Sequence, residues 1–407
     1  MPNSQTHGAL TRDALELQTF DTGDNAELIR DYCSFPDLYF SDRRAEIEPC
    51  TFMLDGIQFH YPPHIAYEDL YRYWDRDEKR LFRARPFRNE NFRHVTEGFR
   101  WYISHIVERF RCGEAEDGKK YLGCLLHMLE DSTFGLHALE GPGGSDAFIL
   151  DRLSESSVPP SFMLAKIRYR DDFPRLEYTP RSLGNSVEEM VMKLYAAYCA
   201  AASDSRRAAF RFVLNTLENR ADENPALEER MRRNAVTLCA DVIRTVFQLA
   251  KGEKLPRREP CRLDELEPYE FPFGGFGPYC YRSFVRNAAV GSDGASIPLE
   301  LDSGRAGHGL SFGTHHEGAL RYQIAPETFR EFSARIGFHT AFPIRGKIEL
   351  KLFNDGREVH SLTLDNTCRS AEIRIADPKN EFGLAFRSTS RCGVVVLADP
   401  LLTYREE

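Results

Sequence analysis

The sequence predicts a multidomain chain in which an all-α domain is followed by an all-β sandwich of jelly-roll type. Three observations carry this. Apolar residues recur at helical spacing through roughly the first 250 residues. The stretch GEKLPRREPCRLDELEPYEFPFGGFG, rich in proline, charge and finally glycine, then interrupts the pattern. Beyond it the period of the apolar residues drops to two. The boundaries read as 1–254 for the helical domain, 255–275 for a linker and 276–407 for the sandwich.

A chain of 407 residues has room for two or three full hydrophobic cores. Its 42% hydrophobic and 28% charged residues are the balance of a soluble globular protein. No apolar run reaches the length of about 18 residues that spanning a bilayer takes. The opening MPNSQTHGAL lacks the charged and apolar regions of a signal peptide. As written, the chain is expected in the cytoplasm, or outside the cell if a leader has been removed. A net charge of −9 argues against nucleic-acid capture by a broad basic surface, an argument that bound divalent ions would weaken. The ten cysteines include no CxxC pair, which counts against a zinc ribbon or a thioredoxin-type motif.

In the helical part, Val187, Met190, Val191, Leu194, Tyr195 and Tyr198 share one helical face. Glu188 and Glu189 fall in the first turn, where the helix dipole favours them, and Asn185 is the expected N-cap. AAFRFVLNTLENR reads as a further helical segment, and a long helix is expected over about 225–251. In the β part, KIELKLF turns Ile348, Leu350 and Leu352 one way and Lys347, Glu349 and Lys351 the other. The turn NDG and then REVHSLTL complete a hairpin signal, and AEIRI, FGLAFRS and GVVVLA read as further short strands.

The chemistry is concentrated in LLHMLEDSTFGLHALEG, which holds His127, Asp131 and His137. On a helix His127 and Asp131 share a face, and Gly135 ends the helix and lets His137 turn back. Imidazole nitrogen and carboxylate oxygen are zinc donors. The same spacing also suits two packed histidines beside a solvated aspartate. Upstream, THGALTRDAL, SFPDLYF and QFHYPPH supply His7, Asp37, His60 and His64. In this order the motifs resemble the zinc-dependent phospholipase C and single-strand nuclease superfamily, over roughly residues 5 to 250.

The resemblance implies an all-α zinc phospholipase C-like domain holding up to three zinc ions. His127, Asp131, Asp37 and His60 would hold one ion, with Asp131 bridging to a neighbour. His64 rivals the preferred His60, since both flank the YPP turn, and the alternative for Asp37 is an Asx-turn carboxylate after Pro36. His7 would serve a second ion, which the family completes with the N-terminal amine. His137 begins the third site, where Asp151 and Glu155 in FILDRLSE stand at the matching distance. The chain departs from the family in having Met1 where tryptophan is usual, Gly135 where proline is usual, and Asp151 in place of a histidine. Asp151 and Glu155 read equally as the charged face of an amphipathic helix. His105 and Cys124 read as packed core residues, His94 as a further nitrogen in reach of a metal, and Trp74 and Trp101 as core or groove residues.

GHGLSFGTHHEGALRYQI, TFREFSARIGFHT, the NDG hairpin and VVLADPLL resemble the NPCBM family of carbohydrate-binding modules over roughly residues 276 to 407. The family's closing strand carries Ala-Asp-Ala-Arg-Leu where this chain has Ala398, Asp399, Pro400, Leu401 and Leu402. His315 and His316 read as sandwich residues. The resemblance implies a glycan ligand for this module, although a fold does not fix a function.

Together these readings give the expectation of a zinc-dependent phosphoesterase, most naturally a phosphodiesterase, with Zn2+ as cofactor and Asp37 and Asp131 as its catalytic carboxylates. The phosphoester, phospholipid or nucleic acid, is left open. The alternative is a catalytically degenerate, metal-stabilised domain acting beside a surface- or carbohydrate-binding module.

Overall fold

In a computed structural model, residues 4–35, 51–54, 57–60, 89–135, 138, 167–256, 259–270, 273–274, 281–282, 284–291, 293–313, 317–388 and 393–406 are described. For 51–54, 57–60, 89–94, 97, 273–274 and 281–282 the description covers the backbone alone. The chain forms two compact units, Met1–Leu255 and Pro256–Glu407. The first is helical and the second is an antiparallel β-sandwich.

Six α-helices lie among the described residues of the first unit: α1 (Ser4–Glu16), α2 (Glu27–Tyr32), α3 (Asn89–Arg111), α4 (Ala115–Thr133), α5 (Val187–Leu217) and α6 (Asn224–Ala250). A small hairpin, β1 (Thr51–Leu54) with β2 (Ile57–His60), interrupts the all-helical pattern expected there. Helix α4 is the central element. Every residue from Tyr121 to Gly135 is buried, and the other five helices all contact it. Leu122, Leu125, Leu126 and Leu129 meet Met190, Leu194, Ile243 and Val246 in one apolar cluster. A helix covered on all sides has no solvated face on which to leave a charge.

Two helix expectations change. The cap of α5 is Ser186, one residue beyond Asn185: its hydroxyl accepts the Glu189 N–H at 3.1 Å, while the Glu189 carboxylate reaches back to the Asn185 N–H at 2.9 Å. This is a shifted capping box. AAFRFVLNTLENR is no separate helix, because Ala200, Ala201, Ala202 and Ser203 contain nothing to stop α5, which runs unbroken for 31 residues.

The second unit contains β3 (Cys261–Arg262), β4 (Phe284–Arg286), β5 (Gly309–Gly313), β6 (Glu317–Gln323), β7 (Phe329–Phe338), β8 (Ile348–Asn354), β9 (Arg357–Leu364), β10 (Ser370–Ala376), β11 (Glu381–Ser388) and β12 (Val394–Tyr404). One sheet has the order β10-β7-β12-β5-β4, with β3 also on β12, and the other β6-β11-β8-β9. Phe312 stacks on Phe386 at 5.2 Å and Phe332 meets Phe382 at 4.5 Å, so aromatic pairs tie the sheets together across the core. In the β8–β9 hairpin, Asp355 and Gly356 both have positive φ, as a two-residue turn between twisted strands requires. Ile348, Leu350 and Leu352 face inward.

The motif residues of the closing strand have structural work. Asp399 sits at φ 49° where the β7–β12 register slips, and its carboxylate accepts the Gly307 and His308 N–H groups at 3.0 and 3.3 Å. Its other oxygen meets Arg335 at 2.5 Å. Gly309 has φ 143°, and a Cβ there would lie 2.2 Å from the Leu397 carbonyl, so only glycine fits against β12.

The linker is shorter than 255–275. Cys261 and Arg262 pair with Leu402 and Leu401, and Tyr269 and Glu270 bond to Arg321, which places 261–270 within the sandwich. A two-residue strand has no period to read, so proline and charge dominated that stretch. A fragment comprising residues 256–407 is expected to fold alone as an all-β domain by circular dichroism. A 276–407 fragment should melt at lower temperature, since it loses β3 and the buried Leu263, Leu266 and Tyr269. Equal melting temperatures would return 261–270 to the linker.

Candidate metal centre

Because α4 is buried from Tyr121 onward, the ionisable residues of that stretch survive only with partners. His127, Glu130 and Asp131 stand at i, i+3 and i+4 and so share one face. On α1, His7 and Thr11 stand at i and i+4 and meet that face. His7 Nδ1 lies 2.7 Å from Glu130 Oε2, and the Thr11 hydroxyl donates to Glu130 Oε1 at 2.6 Å. His127 Nδ1 donates to the carbonyl of Cys33, just past α2, at 2.5 Å. With both Nδ1 atoms engaged this way, both rings turn their Nε2 atoms toward Asp131.

Asp131 meets each ring with a different oxygen. Oδ1 lies 3.5 Å from His7 Nε2 and Oδ2 lies 3.2 Å from His127 Nε2. The rings stack with centroids 4.1 Å apart. One ligand atom each from His7, His127 and Asp131 lies within 4.8 Å of the others. His7, His127 and Glu130 are fully buried and Asp131 nearly so.

These residues fit zinc in chemistry and in spacing. Two imidazole nitrogens and a carboxylate oxygen are its ordinary donors, and neighbouring ligands around a tetrahedral zinc stand about 3.3 Å apart. The electrostatics agree. Burial opposes charge on His7, but Asp131 and Glu130 outweigh it and raise the imidazole to about 10. Burial also pushes the Glu130 carboxyl up. The two shifts have different causes: the neighbouring carboxylates raise His7, whereas loss of hydration raises Glu130 against the pull of His7 and Thr11. Burial raises the thiols of Cys33, Cys124 and Cys239, and among the described residues the donor group consists of His7, His127 and Asp131.

The structure thus brings together His7, His127 and Asp131 of the residues expected from sequence. Asp37, His64, His137, Asp151 and Glu155 lie outside the described residues, as do Trp74, His315 and His316; His60 is on β2, of which only the backbone is described. The His94 side chain is likewise outside the description. His105 is half-buried against Trp101 and Tyr121 and bonded by Arg109, a packing role, with its pKa lowered by burial and by Arg109. Cys124 lies in the apolar core. Glu130 and Thr11 were missed. The available signal was Glu130's place three residues after His127, on the same helical face.

The backbone approach that supplies the Cys33 carbonyl depends on Gly123, one turn before His127. A Cβ at Gly123 would lie 2.5 Å from the Ile29 carbonyl and 2.9 Å from the Cys33 nitrogen.

Neither any family model nor any curated protein matches the chain. Among solved structures, the C-terminal β part is similar to carbohydrate-binding modules. One is the CBM51 module of a Clostridium perfringens GH95 protein, solved with methyl-galactose, at 14% identity over 35% of this chain and 99% of that one, TM-score 0.25. Another is the tandem CBM51 modules of a family 98 glycoside hydrolase from Streptococcus pneumoniae, at 15% identity over 36% and 47%, TM-score 0.29. A third, the M60 catalytic domain with two CBM51 domains of Clostridium perfringens ZmpB, matches at 14% identity over 36% and 15%, TM-score 0.28. The match therefore spans less than half the length of the last two chains. Among the described residues no helix is long and apolar enough to cross a membrane.

Gly123→Ala is expected to force α2 away from α4 and to cost about 1–3 kcal/mol in urea denaturation, as overpacking against unyielding backbone does. Unchanged stability would mean that the helices can separate without loss.

Proposed function

We propose that the helical unit is a zinc-dependent hydrolase of phosphoesters, most naturally phosphodiesters, of the kind its motifs resemble. The observation that carries this reading is the convergence of His7, His127 and Asp131, from two helices far apart in sequence, with ligand atoms within 4.8 Å. His7 and His127 would bind through Nε2, which their Nδ1 hydrogen bonds leave facing the site. Asp131, with one oxygen toward each ring, would hold the metal beside them. Asp37, His60, His137, Asp151 and Glu155 are proposed as the remaining ligands on the motif resemblance alone. Bound zinc supplies Lewis acidity for the phosphoryl oxygens and a water acidic enough to attack near neutral pH. The chain's own residues would fix the donor positions, since His7, His127 and Asp131 are all buried in the core. Asp37 is proposed to accept a proton as well as bind.

For the sandwich, the NPCBM-like motifs support a glycan as ligand. A glycan array probed with the full chain tests this, and the absence of any reproducible signal would remove it.

Elemental analysis of the purified protein separates the hydrolase from a structural metal domain. About three zinc ions per chain are expected for the first, about one for the second, and none would reject both. His127→Ala and Asp131→Ala should each lower bound zinc and the melting temperature, and a strong chelator should narrow the gap from wild type, since metal binding is folding free energy. If both variants keep wild-type zinc and melting temperature, the cluster is packing.

The zinc-loaded protein should hydrolyse bis-p-nitrophenyl phosphate, and the chelator should abolish this. Inertness with three zinc ions bound would sink the hydrolytic reading for this substrate class.

A further inference from the structure

The two histidines of the candidate centre are held differently. His127 donates Nδ1–H to a neutral backbone carbonyl, that of Cys33. His7 faces a carboxylate, Glu130, at 2.7 Å. Glu130 is fully buried, and a carboxylate without partners there would lose its hydration uncompensated. Both of its oxygens are used: Oε2 by His7 and Oε1 by the Thr11 hydroxyl. Thr11 lies one turn after His7 on α1, so the helix that carries the imidazole also carries the group that aims the carboxylate at it. Glu130 and Asp131, consecutive on α4, take the two opposite nitrogens of a single ring. One turn of α4 therefore dictates which way the His7 ring points and which nitrogen is left for a ligand.

We propose that Glu130 is a positioning residue of the metal centre, acting through His7 and itself oriented by Thr11, and that it makes His7 the stronger donor of the two imidazoles. The proposal rests on the metal reading above. An anionic partner on Nδ1 fixes the tautomer with Nε2 unprotonated and increases its basicity, which a neutral carbonyl does less. Glu130 touches no substrate in this scheme. Its work is to hold one ring.

The test uses the full chain loaded with Co(II), whose visible absorption bands report the ligand field, with affinity measured by chelator competition. Glu130→Gln, nearly isosteric, keeps an acceptor without the charge and should weaken Co(II) binding about 10-fold, and Glu130→Ala up to about 100-fold, the range for lost partners of ligating histidines. Both should shift the Co(II) bands. Thr11→Val should weaken binding several-fold, and Thr11→Ser, which restores the hydroxyl, should bind as wild type. A Glu130 that is merely structural would lower the melting temperature and leave the bands and affinity of the folded fraction unchanged. That result, from Glu130→Gln alone if Glu130→Ala does not fold, overturns the proposal. Equal losses in Thr11→Val and Thr11→Ser overturn the role of Thr11. Failure of wild type to bind Co(II) at all is a separate outcome that removes the metal reading itself, and this proposal with it.

Discussion

The helical unit depends on one constraint: α4 is buried from Tyr121 to its end, yet its last two turns carry His127, Glu130 and Asp131. Three ionisable groups in an apolar core are tolerable only if each meets a polar partner. The partners have to be delivered by other elements, and their delivery sets where those elements lie. Helix α1 must present His7 and Thr11 on one face, and α2 must end with its Cys33 carbonyl against His127. The chain achieves the second with Gly123, whose missing side chain lets the α2 backbone close on α4. Packing and site are thus one problem. The residues that complete the core around α4 are the residues that assemble the donors.

The electrostatics of the cluster follow from its crowding in a buried space. Stacked imidazoles with centroids 4.1 Å apart cannot both be protonated without strong repulsion. Two buried carboxylates beside them nonetheless call for positive charge, which is why Asp131 and Glu130 raise His7 against the pull of burial. A proton on one ring meets that demand only in part, and it occupies a nitrogen that a metal would use. In the metal-bound form proposed above, a divalent ion held by His7, His127 and Asp131 would meet that demand.

In the sandwich the comparable constraint is the kink in β12. Val395, Val396, Leu397 and Ala398 are all buried, because the sheet core covers one face and Ala289, Leu299, Leu301 and Ala306 cover the other. This is a strand with no alternation, as strands covered on both faces are. Asp399 then takes a left-handed conformation, and Pro400 follows with no N–H to offer the ladder. The strand edge changes partner there, from β5 before the kink to β3 after it. Asp399 repairs the break by binding the Gly307 and His308 amides and Arg335. Its prominence in the sequence therefore has a structural cause, independent of any ligand.

The same distinction separates what could be read in the sequence from what could not. His127 and Asp131 were legible because their relation is local, four residues apart on one helix. The β8–β9 hairpin was legible because Asp355 and Gly356 state their own conformation. His7 stands 120 residues before His127, and no local pattern joins them; it entered only through the resemblance of several motifs in order. Glu130 was hidden by its own ordinariness, since a glutamate beside an aspartate on a helix reads as a solvated face. Only the burial of α4 overturns that, and burial depends on five other helices. Strand β3 was hidden in the same way, because two residues have no period and Cys261 is recognised as a strand residue only when Leu402 is beside it. In this chain the candidate donors are partly visible from spacing, whereas Glu130 and Thr11 are brought to them by contacts between distant segments. A site reconstructed from motifs alone would contain His7, His127 and Asp131 and lack the carboxylate that meets His7.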